Sequence, residues 1–245
     1  MEQVEAVYVV GDIHGCHKEL IHLQNNIVKD SKKRSGAKLL IYLGDYVDRG
    51  PDVKDCIQSL IDFRPHDFSI IYLLGNHEQM LLDFLAEKKN DLYIWLGNGG
   101  LETLRSYGIK MDSYIDETME LQYDDRIREN FLRLLPSSHK DFFYQLQLSY
   151  EWRNYFFVHA GIDPDIPLHK QKKDTLLWTR DPKFLDSTQQ FEKIIVHGHT
   201  PGNSIIHKNN RICLDTGVFF SGKLSGAIIE AQDNNISFMS YSNAE

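Results

Sequence analysis

The chain has 245 residues, 42% hydrophobic and 25% charged, which is enough for one large domain with a substantial core and too apolar for a disordered segment. Its net charge of −8 argues against a general nucleic-acid binder, and no run approaches the roughly 20 apolar residues that span a bilayer, so neither nucleic acid nor membrane is an expected partner. Cys16, Cys56 and Cys213 are sparse and odd in number, which fits neither a disulfide framework nor a zinc finger. The acidic start runs straight into a strand without a signal or transit pattern, and a cytoplasmic location is expected.

Residues 4–10 are β-branched, short and closed by Gly11, and predict a buried strand. Residues 18–28 carry Leu20, Ile21, Leu23, Ile27 and Val28 at amphipathic helical spacing, and the polar run 31–36 predicts a solvated loop. A second strand is predicted over 38–43, then a helix opened by Pro51 and carrying Val53, Ile57, Leu60 and Ile61. A third strand covers 68–74, followed by a helix with Met80, Leu81, Phe84 and Leu85. This alternation over the first ninety residues predicts parallel βαβ units. Residues 90–140 are helical and polar, end at Pro136, and predict a small helical cap inserted in a single domain that spans 1–245. Strands then dominate, at 143–148, 155–158, 194–196, 211–214, 224–229 and 236–241, with an Asp-Asn-Asn turn at 233–235 predicting a terminal hairpin.

Six short runs rich in metal-ligand residues follow strand-like segments: Gly11-Asp12-Ile13-His14-Gly15, Gly44-Asp45-Tyr46-Val47-Asp48-Arg49-Gly50, Gly75-Asn76-His77-Glu78, His159-Ala160-Gly161, His197-Gly198-His199-Thr200 and Asp215-Thr216-Gly217. Strand ends on one rim of a sheet are where open α/β proteins bind ligands, so the six describe one site. Asp12 and His14, two apart, share a metal only if the chain leaves strand geometry there, which Gly11 and Gly15 permit. Asp45 offers two oxygens and suits a bridge between two cations; Asn76 offers an amide oxygen, and His159 and His199 offer imidazoles. Oxygen and nitrogen donors suit hard-to-borderline divalent ions, and two of them about 3.5–4 Å apart clamp a phosphate and acidify a water. His77 is placed to protonate the leaving oxygen, with Asp48 to orient it, and Arg49 offers a planar fork for phosphoryl oxygens.

The runs GDIHG, GDYVDRG, GNHE, HAG and GHT, in that order, resemble the phosphoprotein phosphatase family within the calcineurin-like metallophosphoesterases. The resemblance spans Asp12 to Gly217. It implies an α/β (α+β) fold, a β-sandwich of two mixed sheets flanked by helices, here with the small cap added. It also implies a dinuclear manganese, iron or zinc centre, manganese first, and direct attack on phosphorus by metal-bound water without a phosphoenzyme. By motif, Asp12, His14 and Asp45 would hold one metal, and Asp45, Asn76, His159 and His199 the other. His77 with Asp48 resembles the family's general acid, and Arg49 and Arg180 its phosphate clamp. The segment at 213–217 and the run Trp95-Leu96-Gly97-Asn98-Gly99-Gly100 resemble the bacterial and bacteriophage branch. The expected activity is that of a serine/threonine protein phosphatase on a phosphorylated protein or a small phosphate-containing substrate. The alternative is a symmetrical dinucleoside tetraphosphate hydrolase. A non-catalytic regulatory module is disfavoured because every expected ligand is present. His197 and Asp215 are expected as supports or packing, Glu78 either as helix N-terminal charge or as a support of the site, and Trp95 and Trp178 in the core.

Overall fold

The computed structural model describes residues 4–86, 91–114 and 124–242. The acidic start at 1–3 lies outside the described residues, as do residue 90 and residues 115–123 of the expected cap.

In chain order the elements are β1 (Val4–Val10), α1 (His17–Ser31), β2 (Ala37–Tyr42), α2 (Val53–Asp62), β3 (Phe68–Tyr72) and α3 (Asn76–Leu85). The cap region supplies α4 (Asp91–Gly97), α5 (Gly100–Ser106), α6 (Asp124–Leu134) and α7 (Ser137–Tyr144). There follow β4 (Ser149–Trp152), β5 (Tyr155–Val158), α8 (Lys173–Trp178), α9 (Pro182–Leu185), β6 (Ile194–His197), β7 (Ile206–His207), β8 (Arg211–Cys213), α10 (Val218–Ser221), β9 (Lys223–Glu230) and β10 (Ile236–Ser242).

Two five-stranded mixed sheets result, with orders β10-β9-β1-β2-β3 and β4-β5-β6-β8-β7. In the first, β1, β2 and β3 are parallel and β9 and β10 antiparallel; in the second, β5, β6 and β8 are parallel. Strand alternation sorts the core into layers. Ala6, Tyr8 and Val10 of β1 face the helices α1 and α2, while Val7 and Val9 face the other sheet, against Tyr155, Phe157 and Val196. Phe156, Val158 and Ile195 point the opposite way, onto Leu176 and Phe184 of α8 and α9. Burial on both faces explains why these strands are continuous apolar runs. Each such side chain contributes about 1.5–3 kcal/mol by leaving water.

Leu92, Trp95, Leu104, Ile127, Phe131 and Phe143 of the cap helices join the same cluster as β1 and α2. The strand expected at 143–148 is not formed. Pro136 ends one helix and N-caps another, α7, and Phe142 and Phe143 enter the core from that helix. A short aromatic run does not by itself distinguish strand from buried helix. Of that stretch, Gln147 retains a single bridge, to Leu73. The 31–36 loop is also more than a solvated run: Arg34 pairs with Asp30 and Glu230 and donates to the Tyr8 hydroxyl, tying the loop to β9. The terminal hairpin pairs Ile236 with Ile229 through Ser242 with Lys223. Among the described residues no helix is long and apolar enough to cross a membrane.

Candidate metal centre

All six parallel strands deliver their C-terminal ends to one rim. Asp12 and His14 follow β1, Asp45, Asp48 and Arg49 follow β2, Asn76 and His77 follow β3, and His159, His199 and Asp215 follow β5, β6 and β8. The backbone leaves strand geometry abruptly at these points. His14, Asp45, Asp48, Arg49 and His199 all have positive φ, at 45°, 54°, 70°, 68° and 63°. Non-glycine residues seldom hold this conformation, and each costs about 1–3 kcal/mol that the surroundings must offset. The turns also need room: a Cβ on Gly198 would collide with Asp12 Oδ1, and one on Gly75 with the Asp45 carboxylate and backbone.

Two groups of potential ligands share Asp45. One joins His14, Asp45 and His77, the other Asp45, His159 and His199, with the ligand atoms of each group within 4.8 Å of one another. Asp45 Oδ1 lies 3.3 Å from His159 Nε2, and Oδ2 lies 3.5 Å from His14 Nε2 and 3.9 Å from His77 Nε2. Asn76 Oδ1 sits 2.8 Å from His159 Nε2 and 2.9 Å from His199 Nδ1. Backbone carbonyls set the tautomers: Nδ1–H of His14 donates to Val47 O at 2.8 Å, and Nδ1–H of His159 to Leu43 O at 2.9 Å. That turns Nε2 of each ring toward Asp45, the atom a cation would take in place of a proton. Asp12 accepts the His199 N–H at Oδ2, 3.0 Å, while Asp12 Oδ1 and His199 Nε2 are buried without a partner among the described residues. Of the sequence-expected ligands, His14, Asp45, His159 and His199 fall into these two groups and Asn76 lies against the second; Asp12 accepts from His199, and His77, expected as the acid, also joins the first group.

The electrostatics fit cations at this place. Burial holds His14 down at about 3, and burial with the neighbouring His159 holds His199 at about 2, so both are neutral and keep their lone pairs. Burial opposes charge on Asp45, but His159, His77 and His14 pull it well below the usual carboxylate range. Burial also opposes charge on His159, yet Asp45 outweighs it and raises the imidazole to about 9. Asp12 is pushed well above the usual range by burial and by Asp215 and Asp45. Crowded carboxylates that draw protons onto a ligand histidine and onto each other are a donor set short of positive charge. Divalent cations would supply that charge in place of the protons. The residues present fit a two-metal centre.

Beside the ligands, His77 Nδ1–H donates to Asp48 Oδ2 at 2.6 Å. Burial works against a charged His77, but Asp45 and Asp48 prevail and hold it above the usual imidazole value. Arg49 reaches His14 Nε2 at 3.0 Å and stacks on Phe219 at 4.8 Å. Arg180, far off in sequence, donates to His199 O at 3.1 Å. The turn at Asp181, whose carboxylate caps α9, leaves Arg180 at the mouth of the site.

Glu78, left open by the sequence, accepts four backbone N–H groups: Asp45 at 2.9 Å and Gly75 at 3.1 Å on Oε2, Tyr46 at 2.7 Å and Val47 at 3.0 Å on Oε1. It holds the Asp45 turn against the start of α3, whose His77 N–H in turn donates to Asp45 Oδ1 at 3.1 Å. His197 is a packing residue, bonded to Gly198 O at 3.0 Å and Arg211 at 3.2 Å and set edge-on to Phe184. Asp215 caps its own turn through Gly217 N–H at 2.8 Å. Trp178, expected in the core, stands 40% exposed with its ring 6.2 Å from His199. Cys16, Cys56 and Cys213 are buried free thiols, and burial pushes Cys16 and Cys213 up to about 12, far from a reactive thiolate.

Residues 6–229 match the calcineurin-like phosphoesterase family, and the chain belongs to it. It is a metallophosphoesterase, of a family that works through a dinuclear metal centre. Among its relatives, serine/threonine-protein phosphatase 2 of Salmonella typhimurium is 31% identical over 229 residues, covering 89% of this chain and 90% of that one. An asymmetrical bis(5'-nucleosyl)-tetraphosphatase of Bacillus mycoides is 26% identical over 240 residues, covering 89% and 88%. In fold, a crystal structure described as that of a candidate diadenosine tetraphosphatase superposes with a TM-score of 0.65 at 21% identity, covering 98% of this chain and 96% of that one. The cold-active protein-tyrosine phosphatase of a psychrophilic Shewanella gives 0.56 at 17%, covering 96% and 80%.

Proposed function

We propose that the protein is a serine/threonine-type protein phosphatase, hydrolysing phosphomonoesters of aliphatic hydroxyls. The observation that carries this reading is the His77–Asp48 pair, hydrogen-bonded at 2.6 Å with His77 Nε2 facing Asp45. An aliphatic alkoxide is a strongly basic leaving group and needs a proton as it departs; a nucleotide phosphate leaving group needs far less help. Two divalent cations held by Asp12, His14, Asp45, Asn76, His159 and His199 would supply positive charge to the phosphoryl group and acidify a water. We assign manganese to them, because imidazole donors suit it better than magnesium. Arg49 and Arg180 bind the non-bridging oxygens. His77 delivers the Nε2 proton to the leaving oxygen, while Asp48 keeps Nδ1 protonated and the ring oriented. The chain acts as one domain with the 90–140 helices as its cap, in the cytoplasm.

The relatives support a second reading, hydrolysis of dinucleoside tetraphosphates. The relatives named for that activity are asymmetrical hydrolases, whereas the alternative drawn from the sequence was a symmetrical one. A panel of phosphoserine, phosphothreonine and phosphotyrosine peptides beside dinucleoside polyphosphates, all with Mn²⁺, separates the readings. The phosphatase reading requires the highest kcat/KM on phosphoserine or phosphothreonine, and a higher value on diadenosine tetraphosphate overturns it.

A further inference from the structure

The run Trp95-Leu96-Gly97-Asn98-Gly99-Gly100 and the α5 residue Thr103 carry no ligand, yet they close around Asp48 and Arg49. Trp95 on α4 is wholly buried, and its Nε1–H lies 2.9 Å from both Asp48 oxygens. Thr103 is also wholly buried. Its hydroxyl donates to Asp48 Oδ1 at 2.6 Å and accepts the Asp48 N–H at 2.9 Å. Between them, Gly99 O accepts the Arg49 N–H at 3.2 Å. The turn is built for this approach. Gly99 has φ +103°, and a Cβ there would lie 2.9 Å from Arg49 Cγ; a Cβ on Gly100 would lie 2.6 Å from the Trp95 ring.

Asp48 and Arg49 are consecutive left-handed residues, a backbone that persists only where its surroundings fix it. Thr103 and Gly99 take the two N–H groups of that turn. Trp95 and Thr103 then occupy the lone pairs of the Asp48 carboxylate that His77 does not use. Packing alone would require the indole ring of Trp95 but not the direction of its N–H, and a methyl group would fill the place of the Thr103 hydroxyl.

We propose that Trp95 and Thr103 are positioning residues for the phosphoester reaction: acting through Asp48, they fix the tautomer and orientation in which His77 presents Nε2–H to the leaving oxygen. The helices α4 and α5 thereby serve the chemistry through Asp48, without touching substrate. The inference rests on the reading of His77 as the acid.

The test uses the full chain with Mn²⁺ and two esters. Phenyl phosphate has the poorer leaving group; 4-nitrophenyl phosphate needs little protonation. Thr103→Val removes the hydroxyl at constant shape, Thr103→Ser keeps it, and Trp95→Phe removes the N–H and keeps an aromatic ring. We expect Thr103→Val and Trp95→Phe to lower kcat on phenyl phosphate about tenfold or more with KM within about threefold, and to lower it less on the nitrophenyl ester. Thr103→Ser should stay within about threefold of the parent. Equal losses in the Val and Ser variants, or an unchanged kcat in Thr103→Val and Trp95→Phe, overturn the proposal.

A second measurement does not depend on turnover. The proton of the short His77–Asp48 bond should give a low-field NMR resonance, identified by its loss in Asp48→Asn. It should shift or broaden in Thr103→Val and Trp95→Phe but persist in Thr103→Ser; an unmoved resonance in the first two overturns the proposal. His77→Asn serves as the control for the acid. If its loss is equal on both esters, the acid reading fails, while the Ser-against-Val contrast and the NMR resonance still decide whether Trp95 and Thr103 position Asp48.

Discussion

Replacing Glu78 by Gln tests how the turn carrying the candidate ligand Asp45 is held. The Glu78 carboxylate accepts four backbone N–H groups, two on each oxygen. In the amide, one oxygen still accepts two, while an NH₂ group faces the other two donors. Two charge-assisted bonds are lost, at about 1.5–3 kcal/mol each. Part of that returns, because burial and the Asp45 charge already hold the Glu78 carboxyl up at about 7. A net loss of about 2–3 kcal/mol remains, which lowers Tm by about 4–12 °C for a chain of this size. The disturbed N–H groups are those of Asp45, Tyr46, Val47 or Gly75, so Asp45, the proposed shared ligand, should move and metal affinity fall about 10- to 100-fold. If Glu78 merely placed a negative charge at the start of α3, the loss would be about 0.3–1 kcal/mol and metal binding would be unaffected. Thermal unfolding of the chelated protein and metal titration read the two effects. A Tm drop of only a degree or two together with unchanged metal affinity refutes the reasoning.

Chelation should abolish activity, with Mn²⁺ restoring it more readily than Mg²⁺; turnover in a preparation shown to be metal-free by elemental analysis contradicts this. His77→Asn should lower kcat about 10²–10⁴-fold with metal content retained, and the loss should shrink for nitrophenyl esters, so an equal loss on alkyl and aryl esters counts against His77 as the acid. Arg49→Ala and Arg180→Ala should each lower kcat and raise KM, with Lys restoring only part because an ammonium lacks the planar fork. A phosphate-soaked crystal in which the Arg180 guanidinium turns away from the anion leaves the clamp to Arg49 alone.

Much of this was legible in the sequence because local chemistry carried it. The strand–helix alternation of the first ninety residues gave the parallel β1-β2-β3 core, and the Asp-Asn-Asn turn at 233–235 gave the β9–β10 hairpin. The segment 143–148 failed because Phe142 and Phe143 suit a strand and a buried helical face equally well; the N-cap at Pro136 and the packing against α2 decide for α7. Trp178 failed for a related reason: an indole is apolar enough for the core, and only the turn after α8 leaves it at the rim of the site.

The candidate ligands were legible from residue type and order along the chain, since every donor follows a strand end and glycines flank the turns. What each support does was decided by tertiary structure. Glu78 bonds a turn 31 to 33 residues away, and Thr103 and Trp95 reach Asp48 across 55 and 47 residues. The pairing of Asp45 oxygens with different histidines likewise depends on where two sheets place their strand ends. Such bonds join groups whose sequence neighbourhoods carry no mark of one another. Residue type states what a side chain can donate or accept, and only the packing of the sheets and cap helices determines which partner it meets.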